Sequence, residues 1–207
     1  NMEQTGGYGM DAYCDKARAL IRQQCGREDI DVQFLVGGTQ TNLTVIAATL
    51  RPHQGVISAD TGHINVHETG AVEATGHKVI ALPSADGKLT AQQVLDCYHE
   101  HWNDATHEHI VQPGMVYISN PTEIGSIYHR SELQALAAAC RECGLPLFMD
   151  GARLGYGLAA EDNDLALPTI AACCDVFYIG GPKGGALFGE AVVIRTPAIA
   201  KDFRYSI

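Results

Sequence analysis

No stretch of this sequence is apolar for long enough to cross a bilayer, and no cluster of lysine and arginine marks a face for a polyanion. Lys and Arg number 14 against 24 Asp and Glu, a formal charge of -10, which argues against nucleic acid or an anionic membrane as the main partner. The opening NMEQTGGYGM lacks the basic, apolar and small-residue zones of a secretory leader, so a cytoplasmic location is the expectation. There is no internal repeat and no Pro/Gly/Ser-rich linker, and residues 1–207 read as one domain. With 46% apolar residues the chain can bury a substantial core.

A disulfide framework is also missing. The cysteines are odd in number, seven (Cys14, Cys25, Cys97, Cys140, Cys143, Cys173 and Cys174), and scattered through helical stretches, which reads as free thiols in a reducing compartment. Cys140 and Cys143 form a CxxC, but late in the helical run ELQALAAACRECG and with no second pair, so they read as structural thiols rather than a zinc or redox site. His99, His101, His107 and His109 fall in HEHWNDATHEHI, whose polar neighbours suggest a solvated helix end and loop. No metal is expected.

What is present is alternation. The short apolar runs VQFLVG, GVISAD, KVIALP, MVYISN, PLFMDG, DVFYIGG and AVVIR read as buried strands. Between them lie helical patterns, including Met10 to Cys25, TNLTVIAATLR, HINVHETGAVEATG, LTAQQVLDCYHEHW with Thr90 as its cap, Ser131 to Cys143, and Leu167 to Cys173. The expected fold is α/β: a mostly parallel seven-stranded sheet with helices on both faces. In such sheets functional residues gather beyond the carboxyl ends of the strands. Here those ends read GGTQTN, ADTGH, SNPTE, MDGAR and GGPKGG, so four polar clusters and one glycine-flanked lysine are expected along one edge.

Lys183 lies among glycines in YIGGPKGGALFGE, at the end of a strand. Lysine is costly to bury unpaired, so a lysine in such a turn suits presentation to a ligand. GGTQTN carries neither the Walker A spacing nor GxGxxG. It does turn from strand into helix, where Gly38, Thr39 and Gln40 can offer amides and a hydroxyl to a phosphate. The plainer reading is Thr39 as a helix cap. Asp150 ends an apolar strand and is open to three readings: cap, metal ligand, or partner of a cationic ring nitrogen. A carboxylate for a protonated pyridine, a lysine able to form an imine and a phosphate-binding helix start are the three fixed points of pyridoxal 5'-phosphate. His63 reads either as a capping residue or as an imidazole stacked on the cofactor ring and handling protons, and Arg153 either as a surface residue or as the cation meeting a substrate carboxylate or the cofactor. Thr122 and Glu123 sit in SNPTEIG, where a structural role is at least as well supported as a catalytic one.

Taken in order, GGTQTN, DTGHINVHETGA, SNPTEIG, MDGARLGYG and YIGGPKGGALFGEAVVI resemble the low-specificity threonine aldolase and β-eliminating lyase family, pyridoxal-phosphate enzymes of the aspartate aminotransferase fold. The resemblance runs from about Tyr8 to Ile194. It implies Lys183 as the imine-forming lysine, Asp150 as the pyridine partner, His63 as the stacking histidine and the base for the β-hydroxyl proton, Arg153 as a substrate-carboxylate contact, and Gly38 with Thr39 as phosphate binders. The implied reaction is retro-aldol cleavage of a β-hydroxy-α-amino acid, threonine to glycine and acetaldehyde. β-Elimination or transamination on the same cofactor, and a non-catalytic α/β binding domain, are the alternatives. The resemblance also implies a small amino-acid substrate and a homodimer or homotetramer with shared sites. Two positions depart from the pattern: Pro182 stands where the family usually has Thr or Ser, and Gly184 where a larger residue is common. Family members carry further sequence at both ends, so a cofactor-binding large domain truncated at both ends is expected.

Overall fold

The computed structural model describes residues 3–207. Seven strands form one sheet: β1 (Asp31–Leu35), β2 (Gln54–Ala59), β3 (Val79–Leu82), β4 (Gln112–Ser119), β5 (Leu147–Asp150), β6 (Val176–Gly180) and β7 (Glu190–Ile194). Their order is β1-β7-β6-β5-β4-β2-β3. All neighbours pair in parallel except β7, which runs antiparallel to both β6 and β1. The expected mostly parallel seven-stranded sheet is thus the sheet observed. Among the described residues the α-helices are α1 (Ala12–Cys25), α2 (Gly38–Thr49), α3 (His63–Val66), α4 (Ala71–Ala74), α5 (Ala91–Asn103), α6 (Arg130–Cys143), α7 (Leu154–Leu158), α8 (Leu167–Cys173) and α9 (Pro197–Ala200).

Strand side chains alternate between two cores. Val116, Ile118, Leu147, Met149 and Phe177 point to one face, where they meet Cys25 of α1, Val94 of α5, Leu133 of α6 and Ile170 of α8. Met115, Tyr117, Phe148, Val176 and Tyr178 point to the other, against Val45 of α2, Val72 of α4 and Ile199 of α9. Burial on both faces is why the strands read as unbroken apolar runs, with no polar residue every second position.

Local chemistry sets the helix ends. Asp11 caps α1 by accepting from the amides of Tyr13 and Cys14 at 3.0 Å, and Gly26 closes it in the left-handed region at φ 65. Thr90 and Gln93 form a capping box at the start of α5. The stretch HINVHETGAVEATG, expected as one helix, is instead two single turns, α3 and α4. Thr69 (φ 51) and Gly70 (φ 78) are left-handed and break the ladder between them. The seven cysteines are unpaired, and Cys140 and Cys143 are buried on α6. His99 and His109 are exposed as expected, but His101 is buried, its ring packed edge-on to Trp102 and His107. Its place on the inward side of α5 accounts for that departure.

Candidate active site

β1 ends at Leu35, and the chain turns through Val36 into α2, with Gly37 as the cap residue. No side chain caps this helix; Thr39 is already inside its first turn and exposed. The Gln40 side chain folds back to accept from the Val36 amide at 3.0 Å, and Thr41 bonds to the Gly37 carbonyl through both its amide and its hydroxyl. The backbone amides of Gly38, Thr39 and Gln40 precede the first intrahelical bond and point outward together, at the positive end of the helix dipole. Gly38 has little room for a side chain: a Cβ there would lie 3.1 Å from the Tyr178 hydroxyl.

Asp150, the last residue of β5, is buried. Its Oδ1 accepts from the Ala152 amide at 2.9 Å, and its Oδ2 accepts from the Tyr117 hydroxyl at 2.6 Å and from Asn42 Nδ2 at 3.0 Å. The next residue must be glycine, because a Cβ on Gly151 would lie 1.8 Å from the Tyr178 carbonyl oxygen of the neighbouring strand. This packing fixes the direction in which the MDG turn leaves the sheet.

His63 opens α3 beyond the end of β2. Its Nδ1 lies 2.8 Å from Glu68 Oε1, and Asn42 donates to the same oxygen at 2.8 Å. Glu68 is buried at 3% exposure. The bond to Glu68 raises the His63 pKa, against the opposing effect of partial burial. Nε2 has no protein partner among the described residues.

Lys183 sits in a single 3-10 turn, Pro182–Gly184, directly after β6. Pro182 occupies the first position of that turn, where a missing amide costs nothing. Tyr156 donates its hydroxyl to the Lys183 carbonyl, and Gly185, at φ 99, turns the chain back toward β7. The Lys183 side chain is exposed and makes no hydrogen bond or ion pair among the described residues.

A cavity of about 250 Å³ joins these parts: Gly38, Thr39, His63, Asp150 and Lys183 all line it. Two expected residues do not. Gln40 turns its side chain to the backbone behind it, and Arg153, the half-buried residue before α7, lies outside the lining without an ion-pair partner. Thr122 is bonded to Ser126 within its loop and Glu123 accepts from Ser119 at the end of β4, each at 2.7 Å. Glu68, Tyr178 and Glu190 line the cavity and were not anticipated. Burial and the Asp150 carboxylate hold the Tyr178 phenol well above its ordinary pKa, and burial raises Glu190 to about 7. The Tyr178 hydroxyl, Glu68 Oε2 and Glu190 Oε2 are buried without a partner. Unpaired buried polar atoms on a cavity wall are what a polar ligand satisfies.

The model of the family described as "Beta-eliminating lyase" matches residues 2–205. The chain belongs to that family. It is 33% identical over 200 residues to the low specificity L-threonine aldolase of Pseudomonas aeruginosa, a match covering 96% of this chain and 56% of that protein. Among solved structures, Leishmania major threonine aldolase is similar at TM-score 0.96 and 49% identity, over 100% of this chain and 59% of that one. Aspartate aminotransferase from Thermus thermophilus shares the fold, at TM-score 0.68 and 18% identity over 92% of this chain and 48% of its own. The chain thus spans about half to three-fifths of the length of these relatives.

Beta-eliminating lyases and threonine aldolases depend on pyridoxal phosphate. The cavity fits that cofactor on three counts: unpaired amides at the start of α2, a buried carboxylate at the end of β5, and, from the loop after β6, a lysine on the same cavity wall with no hydrogen-bond or ion-pair partner among the described residues.

Proposed function

We propose that the protein containing this chain is a pyridoxal-phosphate lyase that cleaves β-hydroxy-α-amino acids between Cα and Cβ, converting threonine to glycine and acetaldehyde. The observation that carries this reading is the meeting of Lys183, Asp150 and the unpaired start of α2 on one cavity, in a chain similar to threonine aldolases along nearly its whole length. When bound, the cofactor supplies the electron sink for the pair left at Cα as the bond to Cβ breaks.

Lys183 would hold the cofactor through its side-chain nitrogen, and the amides of Gly38, Thr39 and Gln40 would hold the phosphate. Asp150, its carboxylate fixed by Asn42, Tyr117 and the Ala152 amide, would pair with a protonated ring nitrogen. His63 takes the β-hydroxyl proton on Nε2, directly or through water, while Glu68 stabilises the imidazolium that results. Imidazole is suited to this duty because its unperturbed pKa lies near neutrality. Arg153, free of ion pairs, is the candidate for the substrate carboxylate and has to reach in from outside the lining.

We also propose that residues 1–207 form the cofactor-holding large domain, working in the cytoplasm as a homodimer or homotetramer. Exposed Val36, Leu187 and Phe188 beside the site support a covering partner surface. No described helix is long and apolar enough to cross a membrane.

The test is a product assay on the full-length protein with L-threonine. Glycine and acetaldehyde in equal amounts are expected. 2-Oxobutyrate with ammonia would replace aldol cleavage by elimination, and a keto acid formed only with an amino acceptor would replace it by transamination.

A further inference from the structure

Glu190 has no duty in the reaction proposed above, yet it lies on the cavity wall. It is the first residue of β7, and because β7 runs against its neighbours, that residue lies between Leu35 and Gly180, the last residues of β1 and β6. The residue is 4% exposed, and Oε2 is buried without a partner. Its other oxygen, Oε1, is close to the start of α2: a Cβ placed on Gly38 would lie 3.9 Å from it. A carboxyl group therefore sits beside the amides best suited to an anion.

Two negative charges cannot share such a place cheaply. A buried carboxylate already suffers from desolvation, and a phosphate dianion beside it adds repulsion. Protonated, the same carboxyl is an O–H donor that an anionic oxygen can accept. We infer that Glu190 is a proton-linked member of the anion site: when a phosphate ester settles at the start of α2, the Glu190 carboxyl takes up one proton from solvent and meets the ester as a neutral acid. This rests on the cofactor site proposed above.

The surroundings agree. Asp150, at the end of β5, raises the proton affinity of Glu190, while Lys183 and the Gly181 amide lower it; burial is the largest effect and places its pKa at about 7. Tyr178 of β6 is neutral and adds no charge; α2 contributes no titratable side chain, and His63 and Glu68 face the cavity as a bonded pair. Near neutral pH the group is therefore poised to change its charge when an anion arrives.

The test compares pyridoxine 5'-phosphate binding to the full-length, cofactor-free wild type and Glu190→Gln, by fluorescence quenching from about pH 6 to about pH 9. This probe has no aldehyde for Lys183 to react with, and its own titrations are common to both proteins. The expected result is that wild-type affinity falls relative to the variant by up to about tenfold per pH unit above about pH 7. A second reading needs no variant: sulfate, a dianion with no proton of its own to gain, draws protons from weakly buffered solution when added to the wild type at about pH 8. A pH-independent affinity ratio, or sulfate binding without proton uptake, overturns the inference and leaves the cofactor site standing. No binding of pyridoxine 5'-phosphate to either protein at any pH overturns both.

Discussion

Asn42 joins Glu68 to Asp150: its Nδ2 donates to Glu68 Oε1 at 2.8 Å and to Asp150 Oδ2 at 3.0 Å. Both partners are buried carboxylates, so the orientation of the amide is fixed by them. One side chain on α2 thereby links the group that holds His63 to the group at the end of β5.

Asn42→Ala removes the donor and leaves two buried acceptors short of a bond. Each such loss costs about 1–3 kcal/mol, and like charges no longer bridged add to it. Urea unfolding of the variant is expected at a lower midpoint, with weaker cofactor binding. An unchanged midpoint would contradict the bridge.

His63 draws its raised pKa first from Glu68. Glu68→Gln removes that charge, so the imidazolium should lose its proton at lower pH. The sign for stability follows: a histidine with a raised folded-state pKa contributes most below about pH 6.5, and that contribution disappears as pH rises through the folded value. An NMR titration of the His63 ring in both proteins measures the shift. Equal midpoints would show that Glu68 does not hold the ring.

Gly151 and Gly155 should respond differently to alanine. At Gly151 a Cβ would meet the Tyr178 carbonyl oxygen at 1.8 Å, whereas at Gly155 it would meet nothing within 4 Å. Gly151→Ala is expected to cost at least about 3 kcal/mol or prevent folding, and Gly155→Ala to be neutral or stabilising by about 0.5–1 kcal/mol. Thermal melts distinguish them. A well-folded Gly151→Ala would mean that β5 and β6 can separate at this point.

Glu190 should make the cofactor-free protein less stable as pH rises. Its folded pKa of about 7 lies above the ordinary 4.5, so the folded chain holds more protons than the unfolded one between those values. Stability is therefore lost across that interval, by on the order of 3 kcal/mol at most. Glu190→Gln should flatten that slope. Chemical unfolding at several pH values would reveal it, and parallel slopes in the two proteins would contradict the assignment.

The residues missed in the sequence share a physical reason. Strands were legible because burial on both faces leaves short apolar runs with little competing interpretation, and Lys183, Asp150 and Gly38 stood at strand ends. Glu68 was hidden inside HINVHETGAVEATG, whose helical spacing concealed a reversal at Thr69 and Gly70; the Thr-Gly pair was the available signal. Glu190 escapes a pattern that places functional residues at the ends of strands. Periodicity does not reveal direction, and in antiparallel β7 the first residue occupies the functional edge. Tyr117 and Tyr178 read as apolar strand positions, since nothing in a one-dimensional pattern says where a phenol hydroxyl will point. The spacing also could not show that Gln40 would bond to Val36 or that Arg153 would lie outside the cavity.

The assignment of Lys183 is tested most directly by trapping. The full-length protein is mixed with pyridoxal phosphate, its visible absorption recorded before and after borohydride, and the labelled peptide mapped. A yellow band that disappears on reduction, with the label on Lys183 and none in Lys183→Ala, is the expected result. A label on another lysine, or no band at all, would contradict the placement of the cofactor in this cavity.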